Sequence, residues 1–411
     1  MANMASKLIR VWLLTLTILL FSSISIYAYG NVQGDFFIKN IIVNGDRIEN
    51  YNLQYSFVLY NDTMYIPLTP EIREILGVEL VMDKESRTLN LLRVESTRRN
   101  ISENWMKNDA NPLALNVIPD ARVIALTLMR DHTDDVINVT DDPEHYTDEV
   151  RTILPFVAEV ELNGMPLLEK DGHIFIPLRA IANNEVFNWD IFYDSFFGVC
   201  ISTDSNVPAK TYFDREVSLE NRGLVSYITR HNRAVGETYG IQLVFLFRRA
   251  GEVFGINSRL LIALAHREST FNAAAVSRAG AIGMMQVMPA TGARFGVTAA
   301  QLFDTKTSID FGAMYLGQRL ATFEGDWIKA LSAYNQGARA VQQGRHSTTF
   351  AERVIATYHG IDYFLRTHGY VIVSEVPAVT YSYENHHSYE HYFSYEHYSL
   401  YEYYSFQEYH Y

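Results

Sequence analysis

The tripeptide Ile-Pro-Leu stands at 66–68 and again at 176–178, and each time it closes the same succession of signals. Upstream, a short apolar run ends in Asn-Gly, at 44–45 and 163–164, a pair that favours a tight turn between strands. Downstream come a helix-like segment and a final strand pair, with 17 positions from Ile66 to Asp83 and 18 from Ile176 to Asp194. Val78, Leu80 and Met82, and later Trp189, Ile191 and Tyr193, recur at the period of two that marks a half-buried strand. Stretches 41–92 and 158–202 therefore read as an internal duplication, which constrains the first half of the chain to two small β-rich modules.

These landmarks resemble those of the copper amine oxidase N-terminal-like domain. The resemblance sets module boundaries at 36–93 and 158–204 and implies a β-rich spacer or wall-contacting element of exported proteins. Despite the family name no metal is expected, because neither copy carries His or Cys at ligand spacing. Residues 94–157, with "RDHTDDVINVTDDPEHYTDEV", are strongly acidic and read as a solvated insertion or linker.

After "STDSNVPAK" the pattern changes. Residues 205–234 read as a linker, and from 235 apolar residues recur at helical spacing, as in Ile309, Gly312, Ala313, Leu316 and Leu320 or Trp327, Ala330, Leu331 and Tyr334. The expected fold class is thus α+β multidomain: two β-rich modules followed by one all-α domain over 235–370. Met1 to Ala28 runs from Lys7 and Arg10 through an apolar stretch to a small residue, the order of a secretory signal, with a retained membrane anchor as the alternative. The single cysteine, Cys200, excludes an intramolecular disulfide, so each domain of an exported chain must be held by its core alone.

Charge narrows the partner. With 34 Lys+Arg against 47 Asp+Glu the chain gives no electrostatic support for nucleic acid. Between Ile241 and Arg366, however, 13 Lys+Arg face 8 Asp+Glu, a local excess of five positive charges suited to an anionic partner.

Within that basic segment, Leu261, Leu264 and Glu268 lie at i, i+3 and i+7, which puts a carboxyl on an apolar helix face. A carboxyl held there should keep its proton near neutral pH, as a general acid must. The other reading ends the helix at Glu268 and turns the side chain to solvent. The following "SRAGAIGMMQVMP" places Gly280 and Gly283 in a small-residue loop and one Gln, Gln286, among Met284, Met285, Val287 and Met288. Gln286 needs a hydrogen-bonding partner if buried, and a sugar is one candidate. "AYNQG" at 333–337 adds Tyr334 and Asn335 at a helix end.

Together and in order, "ESTF", "AVSRAGAIGMMQVMP" and "AYNQG" resemble the lytic transglycosylase domain of the soluble (SLT) type, related in fold to goose-type lysozyme. The resemblance implies a lysozyme-like helical fold and a lyase that cleaves the β-1,4 bond from N-acetylmuramic acid to N-acetylglucosamine in peptidoglycan, leaving a 1,6-anhydro end. By it, Glu268 is the single catalytic acid/base, with Ser269 beside it and Gly283, Met284, Gln286, Tyr334 and Asn335 along the sugar groove. It implies no cofactor, glycan strands of the cell wall as partner, and a secreted or envelope location, membrane-attached only if the first segment is retained. The chain departs from the family where "HSTTFAERV" gives His346 for a Glu and Phe350 for a Tyr. Two alternatives stay open: a lysozyme-like hydrolase with Glu252, Asp304 or Asp310 as second carboxylate, and a non-catalytic wall-binding protein.

Residues 375–411 form a Tyr/His/Glu hexad repeat with Glu at 384, 390, 396, 402 and 408. This composition reads as disordered, or as a sticky or sugar-stacking segment.

Overall fold

In the computed structural model, residues 30–83, 85–94, 113–128 and 155–371 are described. The expected signal (1–28), much of the acidic stretch and the hexad repeat lie outside them. The chain divides into two units, one of Met1–Phe37, Val43–Ile191 and Ile201–Pro208, the other of Ile38–Ile42, Phe192–Cys200 and Ala209–Tyr411.

The β-rich part runs in chain order through β1 (Asn31–Phe36), β2 (Asn40–Val43), β3 (Asp46–Ile48), β4 (Val58–Tyr60), β5 (Thr63–Pro67), helix α1 (Pro70–Leu76), β6 (Val78–Asp83) and β7 (Thr88–Arg93). It continues with β8 (Leu113–Ile118), β9 (Arg122–Leu128), β10 (Pro155–Glu159), β11 (Leu167–Lys170), β12 (His173–Pro177), α2 (Leu178–Ala182), β13 (Asp190–Asp194) and β14 (Gly198–Ser202). Strands β1, β4, β5, β12, β11 and β8 close a barrel in that order, and the two Ile-Pro landmarks meet inside it, Ile66 opposite Ile176. Tyr65, Phe175, Leu115 and Leu168 fill the interior. Helix α1 starts where Thr69 accepts a hydrogen bond from the Ile72 amide, with Pro70 in the first turn.

Two four-stranded sheets complete the strands, ordered β10-β9-β7-β6 and β13-β14-β2-β3. Exchanging β1 to β7 for β8 to β14 maps the barrel order onto itself and each sheet onto the other. The duplication is therefore longer than the landmarks alone indicate, 31–93 and 113–202, and its halves are interleaved. Strand β9 of the second half lies parallel to β7 of the first, with Leu89 opposite Val123. This corrects the expectation of two modules, 36–93 and 158–204, with an insertion or linker between them. Part of that insertion is β8 and β9, where Leu115, Ile118, Val123 and Ala125 are buried. The acidic run that follows β9 draws them into one polar stretch and hides their alternation. A half closed on itself would leave the outer edge of β7 without a ladder partner.

The second unit is mainly helical: α3 (Arg215–His231), α4 (Glu237–Phe254), α5 (Ser258–Ser269), α6 (Pro289–Ala293), α7 (Thr305–Thr322), α8 (Trp327–Gln336), α9 (Ala338–Gln342) and α10 (Thr349–Thr367). Helix α3 occupies the expected 205–234 linker, a second correction. Asn221, Leu224, Val225 and Ile228 give it a buried face at helical spacing, and Asp214 caps it through the Glu216 and Val217 amides. Helix α5 is central: Leu260 to Ala265 are all buried, and it packs against α4 and α10. Arg259 fixes it laterally through Glu220 (2.9 Å) and Asp362 (2.7 Å). Among the described residues no helix is long and apolar enough to cross a membrane, and no group of three His, Cys, Asp or Glu could hold a metal ion.

Candidate active site

Glu268 sits in the last turn of α5, below a run in which Leu261 and Leu264 have no exposed surface. Its carboxyl is pushed up to about 8 from an ordinary value of 4.5, and burial is the cause. The helix stops immediately beyond it. Thr270 and Phe271 take left-handed backbone angles, φ 51° and 61°, and the Thr270 carbonyl accepts from the Asn232 amide at 2.9 Å. The side chain of Phe271 is driven into the core.

Behind α5, the Tyr227 hydroxyl meets His266 Nδ1 at 2.7 Å. Burial, the neighbouring His231 and Arg267 lower the His266 imidazole to about 4, so it stays neutral, and its contact with Tyr227 ties α5 to α3. Sequence reading misses this pair because Tyr227 lies on the stretch that reads as linker.

Ser269 ties the helix end to the glycine loop: its Oγ donates to the Met284 carbonyl at 2.7 Å and accepts from the Asn272 amide at 3.2 Å. The loop is a small framework of its own. Ile282 and Val287 exchange amide hydrogen bonds of 2.9 and 3.0 Å, and the Gly283 amide reaches the Ala275 carbonyl at 2.9 Å. Gly283 is required by backbone geometry as well as by space. Its φ is +81°, and a Cβ there would stand 2.1 Å from the Leu302 carbonyl oxygen.

The partner that Gln286 needs is supplied by the loop itself. Its Nε2 donates to the carbonyls of Ala275 (3.2 Å) and Gly283 (3.0 Å). Met284 and Met285 are buried completely, so Met284 faces the core and meets Ser269 through its backbone. From below, the buried Ser308 hydroxyl of α7 accepts from the Met285 amide at 3.1 Å, and Gly312, one turn on, leaves space for the Met285 side chain. Ser308 and Gly312 at i and i+4 are the sequence signal for this support, and it is visible only once Met285 is known to sit over them.

Tyr334 joins the third motif to the other two. Its hydroxyl donates to the Met285 carbonyl at 2.9 Å, and its ring meets Tyr315 edge-on at 5.5 Å. The phenol is raised well above its ordinary value by burial first, then by the negative charge of nearby Glu268 and by Tyr315. Asn335 is exposed at the end of α8. Gln336 clamps the following loop by donating to the Ser347 carbonyl (2.7 Å) and accepting from its amide (2.9 Å). Replacing Tyr334 by Phe would leave the Met285 carbonyl unpaired. The expected cost is about 1–2 kcal/mol, read as a lower urea midpoint with an unchanged slope.

The residues considered as a second carboxylate are engaged elsewhere. Asp310 accepts from Arg249 at 2.6 and 2.8 Å and from Lys306 at 3.0 Å. Asp304 caps α7 through the Thr307 amide at 2.8 Å. Glu252 is exposed on α4. No acid contributes to the raised value at Glu268. The site thus contains one carboxyl held as an acid, a rigid glycine loop and a buried phenol.

Residues 245–355 match the family model described as the Transglycosylase SLT domain. Among curated relatives, the chain is 35% identical to a protein of Edwardsiella ictaluri (strain 93-146) named membrane-bound lytic murein transglycosylase C, over 23% of this chain and 31% of that protein. A protein of the same name from Haemophilus influenzae (strain PittEE) is 37% identical over the same shares. The chain therefore spans about a third of the length of these relatives. Among solved structures, the 70 kDa soluble lytic transglycosylase of Escherichia coli aligns with a TM-score of 0.29 and 22% identity, covering 36% of this chain and 30% of that one.

Proposed function

We propose that the helical unit is a peptidoglycan lytic transglycosylase that cleaves the bond from N-acetylmuramic acid to N-acetylglucosamine and leaves a 1,6-anhydro end. The observation that carries this reading is the solitary, burial-raised carboxyl of Glu268. The match of residues 245–355 to the SLT domain supports it independently.

Most glycosidases that use water employ a second carboxylate, either as nucleophile or as base. A single carboxyl suffices when the sugar supplies the missing groups. Protonated Glu268 gives its proton to the glycosidic oxygen, which leaves as the 4-hydroxyl of N-acetylglucosamine. The 2-acetamido group stabilises the positive charge at C1. Glu268, now a carboxylate, takes the proton of the C6 hydroxyl as O6 closes on C1, and the acid is restored. Tyr334 beside the carboxyl and Gln286 form the wall against which the strand lies, the buried Gly283 and Met284 support it from behind, and Asn335 contributes from the exposed end of α8.

Mass spectrometry of glycan strands digested by the full chain tests this. The expected muropeptides carry anhydro ends and lack the water that hydrolysis adds. Reducing ends would establish a hydrolase and remove the C6 step.

The β-rich unit is read as the wall-contacting part of an exported protein, built on the copper amine oxidase N-terminal-like pattern. An extracytoplasmic location follows from that reading and from the substrate.

A further inference from the structure

Apart from the residues around Glu268, the helical unit contains a cavity of about 420 Å³. Arg222, Ser226 and Thr229 of α3 line it, with Arg233 just beyond the helix and the rings of Phe196 and Tyr370. Its electrostatics differ from those of the neighbouring helices. Arg248, Arg249 and Arg259 are each in a salt bridge, whereas among the described residues neither Arg222 nor Arg233 is. The Arg222 guanidinium lies 4.5 Å from the centroid of the Phe196 ring, so one cation is held over an aromatic face with its N–H edges uncommitted. Glu237 is the acid among the lining residues, and it faces two arginines.

Tyr370 also shows where the chain goes next. From Val371 it continues into residues 372–411, which hold six Glu and no Asp, Lys or Arg. Tyr directly precedes Glu at 383–384, 389–390, 395–396 and 401–402. An acidic, aromatic repeat is thus tethered at the rim of a cavity lined by two arginines and two aromatic rings. Twelve positions separate Val371 from Tyr383, a reach of roughly 40 Å when extended, which is ample to turn back into the cavity. Such a tether holds its ligand at an effective concentration on the order of millimolar.

We propose that this cavity is the docking site of the chain's own hexad segment. A Glu carboxylate of one Tyr-Glu pair is clamped between Arg222 and Arg233, and its Tyr ring packs against Phe196 and Tyr370. The repeat makes several pairs interchangeable, so that occupancy survives the loss of any one of them.

A spin label on the full chain tests the proposal. Cys200 is buried, so Ser394→Cys provides the reactive thiol, next to Tyr395-Glu396. The expected spectrum contains an immobilised component that is lost in the double variant Arg222→Glu with Arg233→Glu, and lost at raised salt. It returns when Glu384, Glu390, Glu396 and Glu402 are changed to Arg in that background. Arg222→Gln with Arg233→Gln provides a milder pair should the reversal disturb folding, and an unchanged far-UV spectrum verifies the fold. A spectrum indifferent to both arginine pairs overturns the proposal. An immobilised component that vanishes on dilution also overturns it, since the segment would then come from a second copy of the chain.

Discussion

Glu268→Gln is expected to lower the lytic rate by roughly 10²–10⁴-fold, the contribution of a positioned general acid, while making the protein more stable at pH 8. The two effects share one cause. In the folded chain the carboxyl titrates near 8, against an ordinary value of 4.5, because the ionised form is held away from water. The folded state therefore binds the proton more tightly than the unfolded state does. Below about pH 4.5 both states are protonated and nothing is lost. As the pH rises from there to about 8, the unfolded chain ionises and the folded one resists, so stability falls, and the loss is complete above 8. Gln cannot ionise and escapes this loss. After allowance for partial exposure the expected gain is on the order of 2 kcal/mol at pH 8, and close to zero at pH 4. Thermal unfolding of both proteins at the two pH values measures it. An equal gain at both would show that burial of charge is not its source, and full lytic activity of the variant would remove Glu268 from the reaction. In the unsubstituted protein, kcat/KM should decline as pH rises through about 8, where the acid loses its proton.

Gly283→Ala should unfold or displace the loop. The backbone there has φ +81°, which costs an Ala about 1 kcal/mol, and the new Cβ would press on the Leu302 carbonyl at 2.1 Å, which cannot rotate away. The expected destabilisation is about 3 kcal/mol, with loss of activity, because Gln286 and the Met284 carbonyl are positioned through this residue. Gly280 is the internal control. Its φ is +88°, but no atom lies within 4 Å of the point a Cβ would occupy, so Gly280→Ala should cost only about 1 kcal/mol. Urea midpoints of the two variants decide the matter, and equal costs would mean that contact with Leu302 is unimportant.

Part of this is written in the chain. Periodicity of two and of 3.6 separates a β-rich half from a helical one, and spacing offers Glu268 a place on the apolar stripe with Leu261 and Leu264 beside the reading that turns it to solvent. These patterns are local, because a side chain's face is set by its position within its own element. The Asn-Gly and Ile-Pro-Leu landmarks disclose a duplication for the same reason: turns and strand ends are specified by adjacent residues.

The tertiary structure decided what depends on distant neighbours. Whether the halves close separately or interleave is a question of which strand edges pair, and nothing in β7 names β9 as its neighbour. The stretch from Arg215 to His231 reads as a linker because its buried face is short and broken by charge, and only packing reveals that Leu224, Tyr227 and Ile228 are core. Gln286 reads as reaching for a sugar, whereas its amide nitrogen is held by Ala275 and Gly283. Above all, the sequence determined that there is one acid in the stretch from 258 to 289, while the fold determined that, among the described residues, the other candidates are engaged elsewhere: Asp310 is turned to Arg249 and Asp304 to the start of α7. A carboxyl's partners are fixed by three-dimensional distance and its proton affinity by the surrounding dielectric, and neither can be read from its place in a chain.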